Sequence, residues 1–205
     1  PLVPDVRSRP LTLDYSGRLE GGWGEAAFHL GYTRNMVHGA DNDPAAYAAT
    51  RIGADPHWDA FRYGAHLYLN LPWRFELRGR LSGQVADEPL IPGERFGLGG
   101  LRSIRGFEER EVSGDTCEEA HLELWSPPLG PGLRLLGFLD TGRARLDAPI
   151  PGLPGEEHLS SVGMGLRWQW RRHVHLLVDA ARVTNGAGDT ASGDERIHFS
   201  LFLRF

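Results

Sequence analysis

The sequence predicts an all-β chain that crosses a membrane as the strands of an antiparallel β-barrel, with one long loop folded inward. Three observations carry this reading. Apolar and polar residues alternate over stretches of about a dozen residues, longer than the ~5–6 of ordinary strands and enough for the ~9–11 that cross a bilayer. The connections between these stretches are alternately very short and long, as at the two rims of an outer-membrane barrel. In strand after strand one face is aliphatic and aromatic while the other carries Arg, Glu, His and Gln, as a water-filled interior requires.

The elements follow in order. Leu11, Leu13, Tyr15 and Leu19 alternate with Thr12, Asp14, Ser16 and Arg18, and Gly21-Gly22 turns the chain. Ala26, Phe28, Leu30 and Tyr32 repeat the pattern before a polar loop at Asn35–Pro44. Tyr47–Ala54 reads as a weaker strand. Phe61, Tyr63, Ala65, Leu67, Leu69 and Leu71 form the clearest apolar row; Pro72-Trp73 turns, and Phe75, Leu77, Leu81 and Val85 return against Glu76, Arg78, Arg80, Ser82 and Gln84. Ala86–Glu118 has no sustained period, which in a compact domain marks a functional or disordered segment. Its glycines (97, 99, 100, 106 and 114) give tight backbone, and Ile104 and Phe107 flank the single cation Arg105. A linker has no use for that arrangement, so the segment reads as an ordered loop packed inside the fold. Five strands follow, at Glu119–Trp125, Leu133–Arg145, Leu159–Trp170, Val174–Val183 and Arg196–Phe205, with a Pro/Gly loop at Pro149–Pro154 and a Gly-rich one at Asn185–Asp194. The expectation is five strands before the loop and five after it. Trp23, Trp58, Trp73, Trp125, Trp168 and Trp170 fall near strand ends, where an aromatic girdle would lie.

Composition narrows the function classes. A net charge of −5 over 205 residues favours no nucleic-acid partner. The single Cys117 excludes an internal disulfide and a cysteine-rich zinc cluster. No apolar run is long enough for a transmembrane helix, which leaves a strand-built membrane protein open. The nine His are scattered; His173 and His175 share a face without further ligands, so no metal is expected. Asp140-Thr141-Gly142 is also the aspartic-protease triplet, but that chemistry needs a second carboxylate sharing the proton, and no second triplet exists. No enzyme activity and no cofactor are expected.

Leu81–Asp115, reading LSGQVADEPLIPGERFGLGGLRSIRGFEEREVSGD, resembles the signature loop of the ShlB/FhaC/HecB haemolysin secretion and activation proteins, the two-partner secretion translocators. These belong to the superfamily of the barrel-assembly protein BamA. In that superfamily the loop folds into the lumen and its tip carries Val/Ile-Arg-Gly-Phe/Tyr, here Ile104, Arg105, Gly106 and Phe107. The second family motif, Phe-x-Asp-x-Gly on a lumen-facing strand, matches Phe138, Asp140 and Gly142. Gln84, Leu98–Gly100, Glu123-Leu124 with Pro127, and Leu159–Arg167 add to the match. Cys117 departs from it, standing where the family has Gly.

The resemblance implies that residues 1–205 form the C-terminal ~10 strands of a sixteen-stranded barrel, with residues 86–118 as a lid loop. The upstream strands and the POTRA domains would lie outside this chain. It implies export of an unfolded partner exoprotein through the outer membrane of a Gram-negative cell, with Arg105 on the loop tip pairing with Asp140 on the wall. A barrel-insertion factor of the same superfamily and a passive porin are the alternatives. Ile104 and Phe107 would wedge the tip and Gly106 turn it. Phe205, a terminal aromatic on an amphipathic strand, would be the signal read by the barrel-assembly machinery. The remaining partner is outer-membrane lipid. The expected shape is a curved, open sheet with the loop on its concave side.

Overall fold

A computed structural model of the chain describes residues 5–148, 152, 154–171 and 173–204. Its strands are β1 (Pro10–Gly21), β2 (Gly24–Asn35), β3 (Asp59–Asn70), β4 (Glu76–Val85), β5 (Phe96–Leu98), β6 (Val112–Gly114), β7 (Thr116–Trp125), β8 (Leu133–Arg145), β9 (Glu156–Trp170), β10 (Val174–Asn185) and β11 (Glu195–Leu203), with one α-helix, α1 (Pro44–Thr50). Nine strands form one antiparallel sheet in the order β1-β2-β3-β4-β7-β8-β9-β10-β11, and β5 and β6 pair separately. Among the described residues β1 and β11 are the free edges, so the sheet is open.

Alternation decides which side is which. Leu13, Met164, Ile197 and Phe199 are each more than 70% exposed, and they lie on one face. Cross-strand register keeps that face apolar: Tyr15 opposes Leu30, Leu30 opposes Tyr63, Leu122 opposes Leu139, Leu139 opposes Val162, and Val178 opposes Phe199. A continuous apolar face of this extent has no counterpart on a soluble monomer. The opposite face holds Gln84, Glu119, His121, Asp140 and Asp179, all buried. Short turns at residues 22–23, 71–75 and 126–132 occupy one rim; the segments 36–58, 86–115 and 186–194 occupy the other.

Three expectations are corrected. Tyr47–Ala54 is not a strand, because α1 and the turn after it occupy these positions. Asp43 accepts from the Ala45 and Ala46 N–H groups at 3.0 Å, Pro44 fits the first turn, and four alanines favour the helix. Four sheet strands, not five, therefore precede the loop. Trp58 and Trp125 do not belong to a girdle. Trp58 is fully buried with Tyr47 and Leu90 under the long-loop rim, and Trp125 points inward with the Arg78 guanidinium 3.7 Å from its ring. Lastly, the aperiodic segment ends earlier than expected, since β7 begins at Thr116. Its inner part is folded through the β5–β6 hairpin, where Phe96 opposes Gly114 and Leu98 opposes Val112. Phe205 and most of the Pro149–Pro154 loop lie outside the described residues.

The core lies between this loop and the wall, not between two sheets. Leu98, Ile104, Phe107 and Val112 from the loop pack on Cys117, Ala144, Leu159 and Val183 from the wall. Cys117 is accommodated there as a buried apolar residue with its thiol on the Phe96 carbonyl.

Candidate functional site

The loop descends on the inward face of the sheet and reaches β8 at its tip. On β8 every second residue points inward, so Phe138, Asp140 and Gly142 present three successive surfaces to the loop. Each meets a different part of the tip. Arg105 donates from Nε to Asp140 Oδ2 at 2.7 Å and from Nη2 to Oδ1 at 2.8 Å, and its backbone N–H reaches Oδ2 at 3.1 Å. The same guanidinium lies 3.5 Å from the Phe138 ring centroid. A Cβ at Gly142 would sit 3.3 Å from Ile104 Cδ1 and 3.2 Å from Leu98 Cδ1, so the glycine is the space the loop's apolar side chains fill.

The tip itself is shaped by Gly106. Its φ of +99° is a left-handed conformation that a side chain disfavours, and a Cβ there would press on Val183. The Gly106 N–H donates to His198 Nε2 on β11 at 3.0 Å. Ile104 and Phe107, one on each side of the Arg-Gly pair, are fully buried. The tip thus touches the sheet from β7 to β11, which requires the sheet to curve around it.

Charge is balanced across several strands. Arg105 also donates to Glu123 of β7 at 2.8 Å and lies 3.5 Å from Asp179 of β10. Asp179 is held by both terminal nitrogens of Arg167 at 2.6 and 2.9 Å. Burial opposes the charge on Arg105, but Asp140, Glu123 and Asp179 outweigh it and push its pKa further up. His121 Nδ1 is 3.0 Å from Asp140 Oδ1, and Arg80 Nη2 is 2.9 Å from His121 Nε2. A guanidinium has no lone pair to offer, so Nε2 accepts and Nδ1–H donates to Asp140. Glu119 accepts from Ser82 at 2.7 Å and from the loop's Ser103 at 2.5 Å. A bidentate guanidinium–carboxylate pair so enclosed is directional and strong.

The residues named from the two motifs therefore converge in one place. Glu123, His121, Asp179, Arg167 and His198 join them without being singled out beforehand as their partners. The available signal was inward polar placement on neighbouring strands, which gives a face but not a height. Among the described residues no group of three or more His, Cys, Asp or Glu is arranged to hold a metal ion.

Solved structures extend this geometry to a known architecture. CdiB from Acinetobacter baumannii superposes with a TM-score of 0.70 at 23% identity, covering 94% of this chain and 32% of that one. CdiB from Escherichia coli gives 0.79 at 18% identity, covering 96% and 36%. The chain spans about a third of the length of these structures, and at these identities they establish the fold alone. No curated protein matches in sequence. The family model described as haemolysin secretion/activation protein ShlB/FhaC/HecB matches residues 7–168. A curved antiparallel wall, an inward loop and a sequence match over most of the chain coincide, and the chain belongs to the ShlB/FhaC/HecB haemolysin secretion/activation family.

Proposed function

We propose that these residues are the C-terminal portion of the barrel of an outer-membrane translocator, which exports an unfolded partner exoprotein in two-partner secretion. Residues 86–115 act as its lid loop. The observation that carries this reading is the loop tip held against the inner wall by the Arg105–Asp140 pair. A lid on a polypeptide channel needs a defined resting place and an affordable way to leave it. One charge-assisted bidentate contact, of ~1–3 kcal/mol, biases the loop strongly toward the wall without welding it there. The inward polar face gives a transiting chain a wet path, and the outward apolar face meets lipid. Further strands joining the free edges of β1 and β11 would close the wall into the sixteen-stranded barrel, since open edges are not tolerated in a bilayer. The chain covers about a third of the matched structures, which leaves length in a protein of that size for such strands.

The test is export itself. In cells producing the translocator and its partner, Arg105→Glu places a carboxylate among Asp140, Glu123 and Asp179. Exoprotein in the medium should then fall by about tenfold or more, at unchanged translocator level in the outer membrane. Wild-type export by Arg105→Glu would overturn the reading.

A further inference from the structure

The lid has a second buried ion pair, at its outer root and away from the tip. Arg51, in the turn after α1, donates from Nη1 to Asp115 Oδ1 at 2.5 Å and from Nη2 to Oδ2 at 2.8 Å. The two side chains are 3% and 0% exposed. Asp115 Oδ1 also accepts from the Leu90 N–H and Oδ2 from the Asp147 N–H, both at 2.9 Å. Four donors on two oxygens saturate the carboxylate. Arg51 donates further to the Leu90 carbonyl at 2.7 Å and the Ala148 carbonyl at 3.2 Å. The Asp115 main chain accepts from Gln84 at the end of β4 and donates to the Arg145 carbonyl at the end of β8. One carboxylate thereby joins the descending limb of the lid (Leu90), its exit into β7, the β8–β9 connection and the β2–β3 connection.

The element supplying Arg51 is built to hold it. Tyr47 of α1 and Trp58 pack with Leu90 and Ile91 of the lid in a core of their own. Asn35 at the end of β2 ties Asn42, Tyr47 and the Pro56 carbonyl together. α1 is therefore a cap seated on the lid's root, and Arg51 is its contact with Asp115 where the lid enters β7. A buried pair of this kind is costly to desolvate, and apolar residues of similar volume would hold the fold as well; what such a pair adds is a geometry satisfied in one arrangement only.

We infer that Arg51 and Asp115 are a second positioning pair for the lid, an outer latch through which the α1 cap holds the lid's root closed, separate from the Arg105–Asp140 contact at the tip. This rests on the reading of residues 86–115 as a lid. Release of the tip alone would leave the root held, so full displacement needs both contacts to open.

Amide hydrogen exchange on the full-length translocator containing these residues, purified in detergent micelles, tests it. Arg51→Gln and Asp115→Asn should each accelerate exchange at residues 87–96 and 110–115 by about tenfold or more. Protection in β8, β9 and β10 should stay as in the wild type. Arg51→Lys, which keeps the charge and loses the fork, should fall between wild type and Arg51→Gln. The double variant should exchange no faster at the root than either single one. Unchanged exchange at the root, or loss of protection spreading equally through the wall strands, would overturn the latch. Arg105→Ala, run beside them, separates the two ideas: if it leaves residues 100–108 as protected as before, the lid reading itself fails, whereas freed tip amides with a silent Arg51→Gln defeat only the latch.

Discussion

At the scale of single residues, the site is a match between three inward positions of one strand and four consecutive residues of one loop. Phe138 gives a ring to the guanidinium, Asp140 gives two oxygens, and Gly142 gives room to Ile104. The last term separates shape from charge. Gly142→Val keeps every charge in place yet puts methyl groups where Ile104 and Leu98 already lie, an overpacking cost of ~1–3 kcal/mol. The lid should undock, and trypsin should cut after Arg102 or Arg105 several-fold faster than in the wild type; unchanged cleavage would mean the loop does not rest on Gly142. Removing the carboxylate by Asp140→Asn should free the same cleavage sites, because Arg105 then faces Glu123 and Asp179 without its bidentate partner. Arg105, Phe138 and Asp140 were legible in the sequence because each lies in a short motif whose spacing survives any register. Asp179 and His198 were not, and Glu123, legible as part of the family match, was not legible as a partner of Arg105. Which inward residue stands at the height of Arg105 depends on how far each strand slides past its neighbour, and alternation fixes faces without fixing that offset.

Elements were legible where burial differs between their two faces. The long strands of the wall were readable because lipid side and lumen side demand opposite chemistry at every step. The first residues of β7 were not, since Glu118 faces outward near the rim and interrupts the apolar row. The β5–β6 hairpin was also hidden. With only three residues in each strand it has no period to display, and its contacts come from packing on Cys117, Ala144 and Leu159. α1 is hard to tell from a strand in the sequence because two turns of helix give little periodicity, although Asp43, Pro44 and the alanines are a start signal in plain view. That signal yields a prediction at this scale. Asp43→Ala removes the acceptor for the Ala45 and Ala46 N–H groups and should weaken the cap by ~1 kcal/mol. Exchange should accelerate in α1, measurably at Tyr47 and Arg51, whose N–H groups close the helix on Asp43 and Tyr47 carbonyls. Unaltered exchange there would mean that packing of Tyr47 and Trp58, not the cap, holds the helix.

For the molecule as a whole, the sheet is inverted relative to a soluble sandwich. Its polar residues face the buried side and its apolar residues face outward, so the fold makes sense only if the outside is not water. Leu139 puts this to a quantitative test. It lies on the outward face of β8 between Leu122 and Val162, more than half exposed, while Arg143 on the same face stands near the rim and pairs with Glu156 at 2.9 Å. The strand thus carries its own comparison, an arginine tolerated at the rim and a leucine four residues deeper. In water, exchanging an exposed Leu for Arg changes stability by no more than about 0.5 kcal/mol. In the middle of a bilayer the same change costs ~2–4 kcal/mol, declining toward the interface. Leu139→Arg should therefore destabilise the full-length translocator strongly in lipid vesicles, as followed by denaturant unfolding of tryptophan fluorescence, and Thr141→Arg, one outward step nearer the rim, should cost less. Equal and small costs at both positions would remove the bilayer from the account of this fold. A graded loss that follows depth along β8 would locate the apolar band against the lipid.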